Sequence, residues 1–242
     1  MKIGVLQTGL VAEELVGAYG EYDQVFADLI RLADPAAEIE GWRVVEGVFP
    51  PGVDAADGWI ISGSKHGVYE DHDWIEPLKA FIREAASAGA PMIGVCFGHQ
   101  IMAEALGGRA EKSEKGWGIG PHEYEVIARP GWMRDAPAQL NLPAIHQDQV
   151  TRPAPDATRI ACSEFCENAA FVYGDPERPY GISIQPHPEF TAPFTRELIE
   201  ARRDRAFPSA LCDAAQNRLE STALDTAWAA GWFMDFLMMH KK

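Results

Sequence analysis

The chain has 242 residues, 47% of them hydrophobic, and carries a formal net charge of −15. That composition supplies one large core, and without a Pro-, Gly- or Ser-rich linker or an internal repeat the expectation is a single domain over 1–242, with 193–242 as a helical C-terminal extension. The acidic balance argues against nucleic acid and anionic membranes as direct partners; no long uncharged apolar span reads as a membrane helix, and a strand at the N-terminus in place of a charged and apolar leader points to the cytoplasm.

Lys2 to Gln7 reads as a first strand, and Tyr22, Val25, Phe26, Leu29, Ile30 and Ala33 recur at helix spacing. Trp42 to Val48 reads as a second strand and Asp57 to Ser62 as a third, followed by the loop Ser62-Gly63-Ser64. A helix is expected over Trp74 to Ala88, opened by Asp73 with Glu76 three residues on. Alternation of strand and helix implies right-handed crossovers and a parallel sheet with its chemistry at the C-terminal ends of the strands.

The short apolar run Pro91 to Val95, a strand covered on both faces, leads into Gly94-Val95-Cys96-Phe97-Gly98-His99-Gln100. A cysteine between two glycines at a strand-to-helix junction has the pattern of a nucleophile elbow: a sharp turn lifts the reactive side chain above the sheet, and the glycines let the two backbones approach closely. The following helix, Gly98 to Leu106, stops at Gly107-Gly108, and a helix N-terminus is one of the few settings that favour an anion such as a thiolate.

Further strands are expected at His122 to Ala128, Thr158 to Ser163, Ala169 to Tyr173 and Tyr180 to Gln185, forming an antiparallel portion. The last of these runs into Pro186-His187-Pro188-Glu189. Prolines on both sides of His187 end the ladder and hold the imidazole and carboxylate in a rigid extended segment, where Glu189 can fix the tautomer of His187. His146, in His146-Gln147-Asp148-Gln149-Val150, competes as a base; His187 is preferred because Glu189 stands two residues away, while Asp148 reads equally well as a turn or capping residue. The apolar stretch from Ala223 to Met239 is expected to be a helix packed on the core, with an oligomer or partner interface as the alternative. Cys162, Cys166 and Cys212 lack a zinc-ligand pattern and read as reduced thiols; no cofactor or metal is expected.

Together, the Gly-Val-Cys-Phe-Gly-His-Gln elbow and the later Gln-Pro-His-Pro-Glu segment resemble class I glutamine amidotransferases, over residues 1–192. The resemblance is to stand-alone members similar to the amidotransferase domain of GMP synthase, and also to γ-glutamyl peptidases. It implies an α/β fold of three layers, with a mostly parallel, flavodoxin-like central sheet between helices and an additional antiparallel portion. It implies that Cys96 attacks the γ-carboxamide of glutamine through a γ-glutamyl thioester, that His187 moves the proton, and that Glu189 holds His187. The oxyanion would be held by the backbone N–H groups of Phe97 and Ser64. Gly63 matches the family's Gly-Gly-Pro-like loop, whereas Ser64 replaces a glycine. Gly63, Gln100, His146 and Gln147 would face the substrate, beside Gly116-Trp117-Gly118.

With no Walker-type phosphate loop and no room for a synthetase domain, either a separate subunit accepts the ammonia or the protein acts alone as a hydrolase. A γ-glutamyl peptidase acting on γ-glutamyl peptides or conjugates is the alternative enzyme. An amidotransferase subunit that is dormant until a partner docks is the alternative of another class.

Overall fold

The computed structural model describes residues 1–133 and 136–241. The chain alternates first: β1 (Lys2–Leu6), α1 (Glu13–Tyr19), α2 (Tyr22–Arg31), β2 (Glu38–Trp42), β3 (Gly58–Ile61), α3 (Ile75–Ala88), β4 (Met92–Val95) and α4 (Phe97–Ala105). A strand-rich stretch follows, with β5 (Arg109–Lys112), β6 (Gly118–Val126), β7 (Gln139–His146), β8 (Asp148–Arg152), β9 (Ala157–Cys162), β10 (Ala170–Tyr173) and β11 (Gly181–Ile184). It closes with α5 (Ala192–Ala201), α6 (Ser209–Ser221) and α7 (Thr226–Met238).

Nine strands form one sheet in the order β2-β1-β3-β4-β11-β10-β9-β6-β7. The first five are mutually parallel and the pairings from β11 through β10, β9 and β6 to β7 are antiparallel. The expected mixed sheet with its antiparallel portion is therefore present, and β5 pairs with β8 in a separate two-stranded ribbon. Every residue of β3, β4 and β11 is buried, which is why these strands read as short apolar runs rather than as alternating ones. The pleat splits their side chains between two cores. Ile60, Ile93 and Ile182 join α2, α5 and α7 on one face, while Trp59, Ile61 and Met92 join α3 and α4 on the other.

Three sequence expectations shift. The second strand is Glu38–Trp42 and not Trp42 to Val48: β2 is an edge strand whose glutamates face solvent, and Val44–Glu46 is a 3-10 turn ended by Gly47 at φ 80°. Asp73 does not cap α3. The helix begins at Ile75, its first N–H donating to the His72 carbonyl, with Trp74 at the cap position and no side-chain cap. The C-terminal region is three helices, and Ala223-Leu224 lie ahead of α7.

Trp232, Phe233, Phe236 and Leu237 of α7 are buried in the same core as α2. A Cβ placed on Gly58 would lie 2.6 Å from Leu237 Cδ2, so this helix sits directly against β3. The expectation of core packing holds: the chain itself covers most of the apolar residues of α7, while Met238 stays exposed. Among the described residues no helix is long and apolar enough to cross a membrane.

Candidate active site

Cys96 occupies the junction of β4 and α4 at φ 53°, ψ −102°, a left-handed conformation that a side-chain-bearing residue adopts only under compulsion. Its N–H donates to the Ile184 carbonyl (2.9 Å), continuing the β4–β11 pairing past the strand end, and the N–H of Gly98 donates to the Ser62 carbonyl (3.1 Å). Both flanking glycines are sterically required. A Cβ on Gly94 would meet the Gly98 carbonyl oxygen at 2.5 Å, and one on Gly98 would meet the Ile61 carbonyl oxygen at 2.1 Å. The sharp turn therefore exists because the N-terminus of α4 is pressed onto β3 and β4. The helix begins at Phe97, one residue earlier than the sequence pattern suggests, which makes Cys96 its N-cap residue.

The loop after β3 reaches the same place. A Cβ on Gly63 would lie 2.8 Å from His187 Cε1 and 3.7 Å from Cys96 Cβ, so the absence of a side chain there leaves room for both. Ser64 lines the cavity that holds Cys96. Thr8, at the end of β1, fixes this loop: its N–H donates to Ser62 Oγ (3.0 Å), and its hydroxyl lies within donating distance of the carbonyls of Ser62 (2.9 Å) and Gly63 (3.1 Å). The sequence reading missed Thr8. Its only signal is a hydroxyl residue at the end of a strand that becomes adjacent to β3 in the sheet.

His187 and Glu189 are both buried, and His187 Nδ1 lies 2.7 Å from Glu189 Oε1. With Nδ1 engaged, Nε2 is the ring nitrogen left free, and the ring meets the Cys96 side chain at Gly63. Burial alone would lower the His187 pKa; the Glu189 carboxylate and Cys96 outweigh it and raise the pKa above the ordinary imidazole range. The ring stacks on Phe190 at 4.1 Å and 4°, and the His187 N–H donates to the Pro143 carbonyl, so both ring and backbone are pinned.

His146 sits in the same cavity but in a different electrostatic setting. Burial, together with neighbouring His187, pushes its pKa down to about 3, despite a 3.1 Å contact between Nδ1 and the Asp148 carbonyl. It is therefore neutral, and its Nε2 is buried with no partner among the described residues. Gln100 uses its side-chain N–H groups on the Asp148 carbonyl (2.9 Å) and Gln185 Oε1 (3.2 Å), tying α4 to β8. Gln147 and Trp117 line the cavity. Asp148 offers its backbone carbonyl to both Gln100 and His146, and burial raises the pKa of its half-buried carboxyl.

The cavity measures about 410 Å³, and Arg202, just beyond α5, adds a cation to its wall. A second cavity of about 280 Å³ lies beyond Ser64 and reaches His187 and Tyr22. His99 of the elbow sequence faces away from this space. Its nitrogens contact Ser183 Oγ (2.7 Å) and the Asn168 carbonyl (3.0 Å), it stacks on Phe171, and burial pushes its pKa down to about 3, as for a neutral core histidine. All four cysteines are free.

The pattern of the glutamine amidotransferase class-I family matches residues 28–201. Gamma-glutamyl peptidase 3 of Arabidopsis thaliana is 29% identical over 216 residues, covering 86% of this chain and 84% of that protein. The glutamine-hydrolyzing GMP synthase of Aliivibrio fischeri is 32% identical over 175 residues, which is 71% of this chain and 31% of the synthase. A crystal structure of a glutamine amidotransferase from Thermotoga maritima superposes with a TM-score of 0.74 at 20% identity, over 100% of this chain and 99% of that one, a likeness of fold. The fold, the elbow and the family match lead to one conclusion: this chain belongs to the glutamine amidotransferase class-I family, a family of enzymes.

Proposed function

We propose that this chain is a cysteine hydrolase of γ-glutamyl amides, with glutamine as the default substrate and Cys96, His187 and Glu189 as its triad. The observation that carries the reading is the meeting at Gly63 of the Cys96 elbow and the Glu189-bound His187 imidazole. Cys96 Sγ attacks the γ-carbonyl carbon with its proton held by His187 Nε2. The resulting oxyanion is held by the backbone N–H groups of Phe97 and Ser64, the first at the start of α4 and the second in the loop braced by Thr8. Collapse expels ammonia, which takes its proton from His187, and leaves a γ-glutamyl thioester. Water deprotonated by His187 then releases glutamate and restores the thiol. Glu189 holds the imidazole in the tautomer that presents Nε2. Gln100, His146 and Gln147 form the substrate wall, with the lone pair of His146 Nε2 as an acceptor, and Gly63 contacts the substrate between Cys96 and His187.

A second reading, hydrolysis of γ-glutamyl peptides or conjugates, is favoured by the similarity to a γ-glutamyl peptidase over most of both chains and by the width of the open cavity. The similarity to GMP synthase supports a separate synthetase subunit as ammonia acceptor in the first reading, acting in the cytoplasm. Turnover of glutamine is to be compared with that of γ-glutamyl dipeptides, with intact-mass detection of a glutamine-mimicking electrophile on Cys96. Turnover of glutamine alone removes the peptidase reading, and labelling that persists in Cys96→Ala removes the nucleophile.

A further inference from the structure

Outside the Cys96 arrangement, three side chains able to ligate a metal meet on the loop between β3 and α3. His66 Nδ1 lies 3.1 Å from Glu70 Oε2, and His72 Nε2 lies 2.8 Å from the same oxygen. All three donor atoms fall within 4.8 Å of one another. The loop folds back so that the imidazoles face each other, with centroids 4.3 Å apart and planes at 70°. Both rings rest on Trp74, His72 stacked on it at 6.0 Å and 11°, and His66 edge-on at 5.9 Å. Trp74 is itself buried and packs on Phe97. The rings are thus oriented by a fixed aromatic platform rather than free on the surface.

Two nitrogens aimed at one carboxylate oxygen are held together either by two N–H donors or by a cation at the centre. Tetrahedral zinc binds imidazole nitrogen and carboxylate oxygen at ~2.0–2.2 Å, which places its ligands roughly 3.3 Å apart. The two contacts here need to open by only a few tenths of an ångström to reach that spacing. We propose that His66, Glu70 and His72 form a binding site for a zinc-class divalent cation at the rim of the cavity that holds Cys96. Two imidazoles and one carboxylate select a borderline-soft ion over magnesium or calcium, which prefer all-oxygen ligands. Three protein ligands leave the fourth tetrahedral position open. His66 and Glu70 line the cavity wall, so the site lies at its edge. The His66 N–H donates to Ser64 Oγ (3.2 Å), so an ion bound here also orders the loop that carries Ser64.

The test is a calorimetric titration of the full chain carrying Cys96→Ala, which removes a competing thiolate, with zinc chloride and separately with magnesium chloride. One zinc site and no magnesium binding are expected. Adding His72→Ala, or in a separate variant Glu70→Gln, is expected to weaken zinc by at least about tenfold, since even groups outside the coordination sphere are worth about that factor. Zinc is expected to raise the melting temperature of the Cys96→Ala protein and not of the His72→Ala double variant. Zinc affinity unchanged by both added substitutions, magnesium binding of similar strength, or no zinc binding at all would each overturn the proposal and leave a hydrogen-bonded cluster only.

Discussion

His187 Nδ1 and Glu189 Oε1 stand 2.7 Å apart with both side chains almost wholly out of water. Burial by itself penalises a charged imidazole, yet the His187 pKa is raised, because the carboxylate and Cys96 act on it through a medium that screens weakly. Removing the carboxylate leaves the burial penalty in place. Glu189→Gln is therefore expected to lower the His187 pKa and to destabilise the fold by about 1–3 kcal/mol. A raised folded-state pKa contributes stability that is fully present below the ordinary imidazole value of about 6.5 and is lost as pH rises toward the raised value. Urea unfolding across pH should show the gap between the two proteins closing upward through that window. A gap that widens upward would reverse the assignment.

His99 and His146 act with the opposite sign. Burial pushes both down to about 3, so between that value and about 6.5 the unfolded chain takes up protons that the native state refuses. Each contributes stability above about pH 6.5 that is lost as pH falls, at up to about 1.4 kcal/mol per pH unit. With His187 working above that value and these two below it, the histidines alone place a stability maximum near it. His146→Gln should flatten the acid side without moving the alkaline side. A variant as acid-sensitive as the parent would show that His146 is charged in the native state.

Cys96→Gly is expected to abolish hydrolysis while leaving stability unchanged or raising it by up to about 2.5 kcal/mol. The substitution relieves a left-handed side-chain-bearing residue, worth about 1–3 kcal/mol, against the roughly 0.5–1 kcal/mol of added unfolded-chain freedom. Calorimetry decides it: a melting temperature several degrees below the parent's would mean that the elbow is not strained.

Two glycines give a matched contrast. Gly98→Ala drives a Cβ to 2.1 Å from backbone at Ile61, so the elbow helix must lift off β3, and a loss above about 3 kcal/mol is expected. At Gly231 in α7 an added Cβ meets nothing within 4 Å, and Gly231→Ala is expected to stabilise by up to about 1 kcal/mol. Equal effects from the two would contradict the packing of α4 against β3.

The elbow was legible in the sequence because its geometry demands local residue types: Gly94 and Gly98 are needed by contacts within a few residues of Cys96 and by the neighbouring strand. The two prolines around His187 made the second segment legible for the same reason, since they fix backbone without help from elsewhere. Thr8 was not legible, because its role exists only once β1 and β3 are neighbours in the sheet. The pairing of His66 and His72 through Glu70 depends on how a loop doubles back over Trp74, which periodicity does not encode. β2 was displaced because an exposed edge strand tolerates glutamates, leaving the apolar Val44 and Val45 as the misleading signal. The start of α7 was obscured because Ala223 and Leu224, in the turn ahead of it, extend its apolar pattern.

β4 is joined on one side to β3, which precedes it in the chain, and on the other to β11, from which it is separated by seven other strands and helices. A ribosome that has released β4 has therefore exposed an unpaired, wholly apolar edge that only the arrival of Gly181–Ile184 can close. The thiol matures late for the same reason: Cys96 is held through the carbonyl of Ile184, and the imidazole beside it is made three residues later still. A nascent or truncated chain ending short of that point carries the Cys96 thiol without the His187 imidazole, and presents a sticky strand in place of the finished site.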